Sequence, residues 1–182
     1  ANNNTITIAG AGSNIIAKLG NEEGKGILAL TKNASSLNLI EHEKLGTLRL
    51  EESVTVESDV NSTHITAGRV GTRDTITFKG KAISEDIQVL QHAAHTNLSF
   101  EGASSGLDGN ILFESKANAH GHINFDGSYS VKGKIGLAQV LANNNGAHTV
   151  AFKQSKNETQ VDATIYATDI NIESTTLVFN GA

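Results

Sequence analysis

A short phrase returns along this sequence and limits what the chain can fold into. It reads apolar–x–Phe–x–Gly, as ITFKG ending at Gly80, LSFEG at Gly102, INFDG at Gly127 and LVFNG at Gly181. VAFKQ around Phe152 keeps the phrase without its glycine, and ITIAG (Ile6 to Gly10) puts Ile8 where phenylalanine stands elsewhere. Five of the six phenylalanines belong to the phrase, and the sixth, Phe113 in ILFES, belongs to a partial copy.

The spacing of the copies carries more weight than their wording. Ile8, Leu30, Leu50, Phe78, Phe100, Phe125, Phe152 and Phe179 step by 22, 20, 28, 22, 25, 27 and 27 residues. Self-similarity at such a period signals a solenoid or another repeat array. Within each phrase the apolar residues alternate, which is the period of a strand. Aromatic and β-branched residues suit a strand, and a glycine two positions on suits a turn. A coil of about 24 residues built this way has the size of one rung of a parallel β-helix. Successive rungs would stack roughly 4.8 Å apart, giving a rod on the order of 35 Å long with each phenylalanine above the last. The expectation is an all-β chain, a right-handed parallel β-helix of about seven to eight rungs, with residues 1–182 as one segment.

Local readings agree with strands nearly everywhere. Leu37 to Leu50 admits a helix through Leu37, Ile40 and Lys44, but LNLI and TLRL alternate, and Glu41 to Lys44 then forms a solvated corner. In AISEDIQVLQHAAH, Ile83, Ile87, Leu90 and Ala94 fit a helix face, whereas Ile87, Val89 and Gln91 fit a strand face. The strand is preferred. The short interval from Phe113 to Phe125 suggests two faces of one rung. The chain finishes on a repeat phrase without a polar cap, and solenoids need caps, so it is expected to be cut from a longer array. The absence of methionine points the same way.

Composition narrows the chemistry. There is no cysteine, so disulfides and thiolate chemistry are excluded and structural zinc is disfavoured. No apolar run approaches the length of a membrane span, and no signal peptide is present. The net charge of −5, with both signs interspersed, lacks the clustered Lys and Arg of a nucleic-acid binder.

The tail resembles the passenger region of rickettsial outer-membrane autotransporters, the surface cell antigens that include outer-membrane proteins A and B. The resemblance rests on INFDGSYSVKGKIG (Ile123 to Gly136), LAQVLANNNGAHTVAF (Leu137 to Phe152) and ATIYATDINIESTTLVFNG (Ala163 to Gly181). It is best over Gly121 to Ala182 and fair over Thr75 to Gly102. It implies a secreted β-helix on a bacterial surface, exported through its own C-terminal β-barrel, which lies outside this sequence. It further implies a part in adhesion to host cells through a host-cell surface protein. It maps no binding residue onto this chain, and neither nucleic acid nor direct membrane insertion is expected.

Other chemistry is weighed beside this. His42, His64, His92, His95, His120, His122 and His148 invite a metal reading, with Asp126 as a third zinc ligand beside a His pair. Surface or corner histidines are the preferred account, with no metal or cofactor assigned. GLDGN (Gly106 to Asn110) is similar to the Gly/Asp calcium turns of some β-helices, but those recur every nine residues and this one occurs once, so it reads as an ordinary turn. A polysaccharide-degrading β-helix, tailspike- or lyase-like, would need paired carboxylates, for which Asp126, Asp162 and Asp169 are the candidates. Solvated corner carboxylates are preferred, and no catalytic residue is assigned. GAGS at Gly10 lacks the lysine of a phosphate loop. Four Asn-x-Ser/Thr sequons, at Asn33, Asn61, Asn97 and Asn157, read as turn-capping asparagines. The leading expectation is therefore a structural and adhesive rod. The alternatives are the carbohydrate enzyme and a spacer that binds nothing.

Overall fold

The computed structural model describes residues 5–10, 13–17, 25–32, 34–40, 44–69, 73–90, 96–113, 121–127, 130–136, 149–153, 158–173 and 175–180. Every regular element among them is a strand, and every pairing is parallel. One sheet has nine strands: β1 (Thr5–Ile8), β3 (Ile27–Leu30), β5 (Leu45–Leu50), β7 (Val60–Ala67), β9 (Lys81–Val89), β11 (Gly106–Phe113), β13 (Ser130–Ile135), β15 (Thr159–Ile165) and β17 (Leu177–Phe179). The other has eight: β2 (Ser13–Ala17), β4 (Ala34–Leu39), β6 (Val54–Val56), β8 (Thr75–Phe78), β10 (Asn97–Glu101), β12 (His122–Asp126), β14 (Thr149–Lys153) and β16 (Asp169–Glu173). The chain therefore alternates between two sheets, one strand to each per coil. This is a parallel β-solenoid, as the repeat predicts.

The register turns the alternation of the sequence into columns of like side chains. On the inner face of the eight-stranded sheet, Leu37, Val56, Phe78, Phe100, Phe125, Phe152 and Ile172 are partners in succession. The four rings stack nearly flat, with centroids 5.3, 4.9 and 5.2 Å apart and interplanar angles of 18°, 16° and 17°. That is the separation at which offset aromatic pairs attract, and here the strand spacing imposes it. Facing them on the nine-stranded sheet runs a column of Leu28, Leu48, Ile65, Ile87, Ile111 and Ile135. These residues are at most 1% exposed. The core is a narrow apolar filling between the sheets, continuous along the coils.

The single column expected from the sequence is corrected in its membership. Ile8, Leu30 and Leu50 do form a column, but it belongs to the nine-stranded sheet and continues through Ala67 and Val89 to Phe113. Phe179 also lies in that sheet, opposite Val161 and not above Phe152. The two sheets share one alternation pattern, so a step that changes sheet looks like a step between coils. The pairing of Phe113 and Phe125 as two faces of one coil is observed, since they lie in β11 and β12.

The two helix alternatives resolve as strands. Leu37 to Leu50 holds β4 and β5, with Lys44 in the connection and residues 41–43 outside the described residues. Ile87 and Val89 of β9 point inward and are fully buried, whereas Ile83 stands 36% exposed. Residues 91–95, including Gln91 and Ala94, lie outside the described residues. GLDGN is not a turn. It lies within β11, where the register slips between Asp108 and Asn110. Gly109 makes that bulge possible, for a Cβ there would sit 1.7 Å from the Ser84 carbonyl oxygen.

Corners interrupt the backbone ladders, and short polar side chains take over the bonding. The Leu39 amide donates to Ser58 Oγ at 2.8 Å, the Thr75 amide to Ser53 Oγ at 3.0 Å, and the Lys81 amide to Asp59 Oδ1 at 2.7 Å. Each bond links one coil to the next, so connections of different length still leave the strands in register.

Two stability outcomes follow. Phe125→Ala removes a ring stacked on both sides and is expected to cost about 3–5 kcal/mol in urea unfolding. A cost below about 1 kcal/mol would mean that the ring is not in a packed column. Gly127→Val places a β-branched residue at φ +80° and is expected to destabilise the chain by about 1–3 kcal/mol in the same assay.

Candidate binding faces

Because each coil repeats the last, outward side chains also fall into columns. On the nine-stranded sheet Thr47, His64, Asp86 and Asn110 are successive partners. His64 Nδ1 contacts Asp86 Oδ1 directly across the two coils, and both side chains are partly open to water, at 54% and 31% exposure. That contact leaves Nε2 turned away from the carboxylate. A shallow cleft lined by Gly46, Thr47, Thr63 and His64 lies beside it. Asn110 bonds to both neighbours: its Nδ2 donates to the Glu85 carbonyl at 2.9 Å and its Oδ1 accepts from the Lys134 amide at 3.0 Å. Lys134 Nζ in turn sits 5.4 Å from the centre of the Tyr166 ring.

The eight-stranded sheet presents a largely polar outward face. Its outward rows are Asn97, His122, Thr149 and Asp169; Ser99, Asn124, Ala151 and Asn171; and Glu101, Asp126, Lys153 and Glu173. Ala151 is the smallest side chain in the middle row, and an open groove forms around it, bounded by Asn124, Thr149, Lys153, Asn171 and Glu173. Asn97 also borders this groove, and its Oδ1 is buried with no hydrogen-bond partner among the described residues. Nearer the first coils, Lys79 Nζ donates to Glu57 Oε1 at 3.1 Å on the same sheet edge.

The residues singled out from the sequence are dispersed. Of the histidines, His64 lies on β7 and His122 on β12, in different sheets. His42, His92, His95, His120 and His148 lie outside the described residues. Among the described residues no three His, Cys, Asp or Glu side chains gather in a metal-holding group. Asp162 lies on β15 in the nine-stranded sheet, whereas Asp126 and Asp169 lie on β12 and β16 in the other. Asp126 ends its strand and Asp169 begins one two strands away, which strand geometry puts roughly 16 Å apart. That exceeds the reach of a glycosidase carboxylate pair, about 5 to 9.5 Å. Of the sequon asparagines, Asn61 and Asn97 lie within β7 and β10 and not at turns, while Asn33 and Asn157 lie outside the described residues.

Sequence reasoning missed the pairs that span coils, although a signal was present. His64 and Asp86, and Glu57 and Lys79, are each 22 residues apart. That is the phenylalanine interval from Phe78 to Phe100. Residues of opposite charge or matching polarity at one coil period become neighbours, whatever lies between them.

Comparison with protein-family models, with curated proteins and with solved structures found no match.

An exposed ion pair contributes little, because water screens it and two side chains must be held still. Asp86→Asn is therefore expected to change the unfolding free energy by no more than about 1 kcal/mol in urea titration. A loss of about 3 kcal/mol would mean that the His64 contact holds the coils together.

Proposed function

We propose that this chain is part of a surface rod, the passenger region of a bacterial autotransporter, and that its outward sheet faces engage a protein on the host-cell surface. The observation that carries this reading is the parallel stacking of the strands, which extends both outward faces from coil to coil. A solenoid of this kind holds polar side chains in straight rows without a deep cleft, which suits recognition of an extended protein surface. The groove face fits best, because Asn124, Asn171, Thr149, Lys153 and Glu173 offer donors, acceptors and both charges over several coils. Interfaces between proteins are wet and polar at their rims, and specificity there comes from such complementary groups. The resemblance of Gly121 to Ala182 to the rickettsial surface antigens supports the same reading. Export through a C-terminal barrel and residence at the bacterial surface belong to it.

The test is adhesion. Beads carrying the chain are expected to bind cultured host cells, and Asn124→Arg combined with Asn171→Arg is expected to reduce that binding by about tenfold, the equivalent of about 1.4 kcal/mol. Beads that bind no cell type would contradict the proposal. Adhesion that survives deletion of one whole coil as well as both substitutions would place the binding elsewhere and leave this stretch as a spacer.

A further inference from the structure

Outward polar side chains on the nine-stranded sheet are commonly engaged with a neighbouring coil. His64 meets Asp86, Lys81 Nζ lies 3.5 Å from Asp108 Oδ2, and Asn110 is bonded on both sides. A cluster at the ends of three adjacent strands lacks such engagement. Arg49, Thr66 and Gln88 are successive partners at the ends of β5, β7 and β9, and Glu51 follows Arg49 by two residues. None of these four side chains has a hydrogen-bond or ion-pair partner among the described residues. Together they line a pocket of about 370 Å³ with Gly68, Arg69 and Leu90. Gly68 carries no side chain, and it is seated between the coils of Glu51 and Leu90: its amide donates to the Leu50 carbonyl at 2.8 Å, and the Leu90 amide donates to the Ala67 carbonyl at 2.9 Å. Within this lining the Arg69 guanidinium is already engaged, with Nη2 3.3 Å from Glu52 Oε1, and that carboxylate offsets its charge.

The unspent groups define the ligand. A guanidinium near the end of β5 and a carboxylate just beyond that strand stand two residues apart in the lining, beside a hydroxyl and an amide. An anion would be drawn to Arg49 and repelled by Glu51, and a cation the reverse. An uncharged molecule with several hydroxyl groups can donate to Glu51, accept from Arg49 and bond to Thr66 and Gln88 without any like-charge contact. Hydrogen bonds to ionised partners are the stronger kind. Leu90 supplies an apolar flank for a C–H face. The volume is at the lower end for small-ligand sites, so it suits one ring and not a peptide helix. We propose that this pocket binds a neutral hexopyranose unit of a glycan. The proposal is independent of host-protein adhesion, which a separate assay measures on the other sheet.

The experiment is a ¹H–¹⁵N NMR titration of the chain with methyl glycosides of glucose, galactose, mannose and N-acetylglucosamine. Glucuronate and glucosamine serve as charged comparators, and glycerol as the control. At least one neutral glycoside is expected to give saturable shifts at the Thr66, Gly68 and Gln88 amides. Arg49→Gln and Glu51→Gln, each checked for unchanged circular dichroism, are expected to weaken that binding by about tenfold. Lys132→Ala, elsewhere on the same face, should leave it unaltered. The proposal is overturned if no neutral glycoside gives saturable shifts at tens of millimolar, if only a charged comparator binds, or if binding survives both substitutions. The wild-type titration decides the matter even where a variant does not fold.

Discussion

Parallel in-register stacking is the constraint from which the rest of this molecule follows. Each residue lies beside its counterpart on the next coil, at the fixed distance set by backbone hydrogen bonds. Inside, that rule demands apolar residues that tolerate contact with their own kind. Flat rings at 4.9 to 5.3 Å satisfy it over four coils, and aliphatic columns satisfy it elsewhere. No coil can bury its own inward face, so stability is shared between neighbours. The same rule explains why Ile170, Ile172 and Phe179 are 48%, 56% and 59% exposed although they occupy inward columns: among the described residues no further strand covers β16 or β17.

The rule also governs the outside. Some side chains pair with the next coil at one coil period, as His64 does with Asp86 and Glu57 with Lys79. Where pairing fails, as at Arg49 and Glu51, the polar groups stay open to an external partner. The two faces thus differ in kind. The nine-stranded sheet carries the cleft beside His64 and the pocket at Arg49, whereas the eight-stranded sheet offers a broad shallow groove around Ala151.

Much of this was legible in the residues. Alternation gave the strands, and the returning Phe–x–Gly phrase gave the coil. The steps from Phe78 to Phe100, Phe125 and Phe152 are true neighbours. The steps from Leu50 to Phe78 and from Phe152 to Phe179 are not, because each crosses from one sheet to the other. Periodicity reports burial and spacing, but both sheets bury alternate residues alike and the corners vary in length. Only the hydrogen-bond partner decides the sheet. Gly106 to Asn110 misled for a related reason: a glycine that permits a bulge looks the same in sequence as one that permits a turn. The open pocket at Arg49 had no signature along the chain, since its members come from three coils and share only their lack of partners.

Ring-to-ring contact tests the stacking most directly. In a sample with labelled phenylalanine rings, nuclear Overhauser effects are predicted between Phe78 and Phe100, Phe100 and Phe125, and Phe125 and Phe152, with none between Phe152 and Phe179. Rings that show no such chain of contacts, or a strong contact between Phe152 and Phe179, would contradict the two-sheet register.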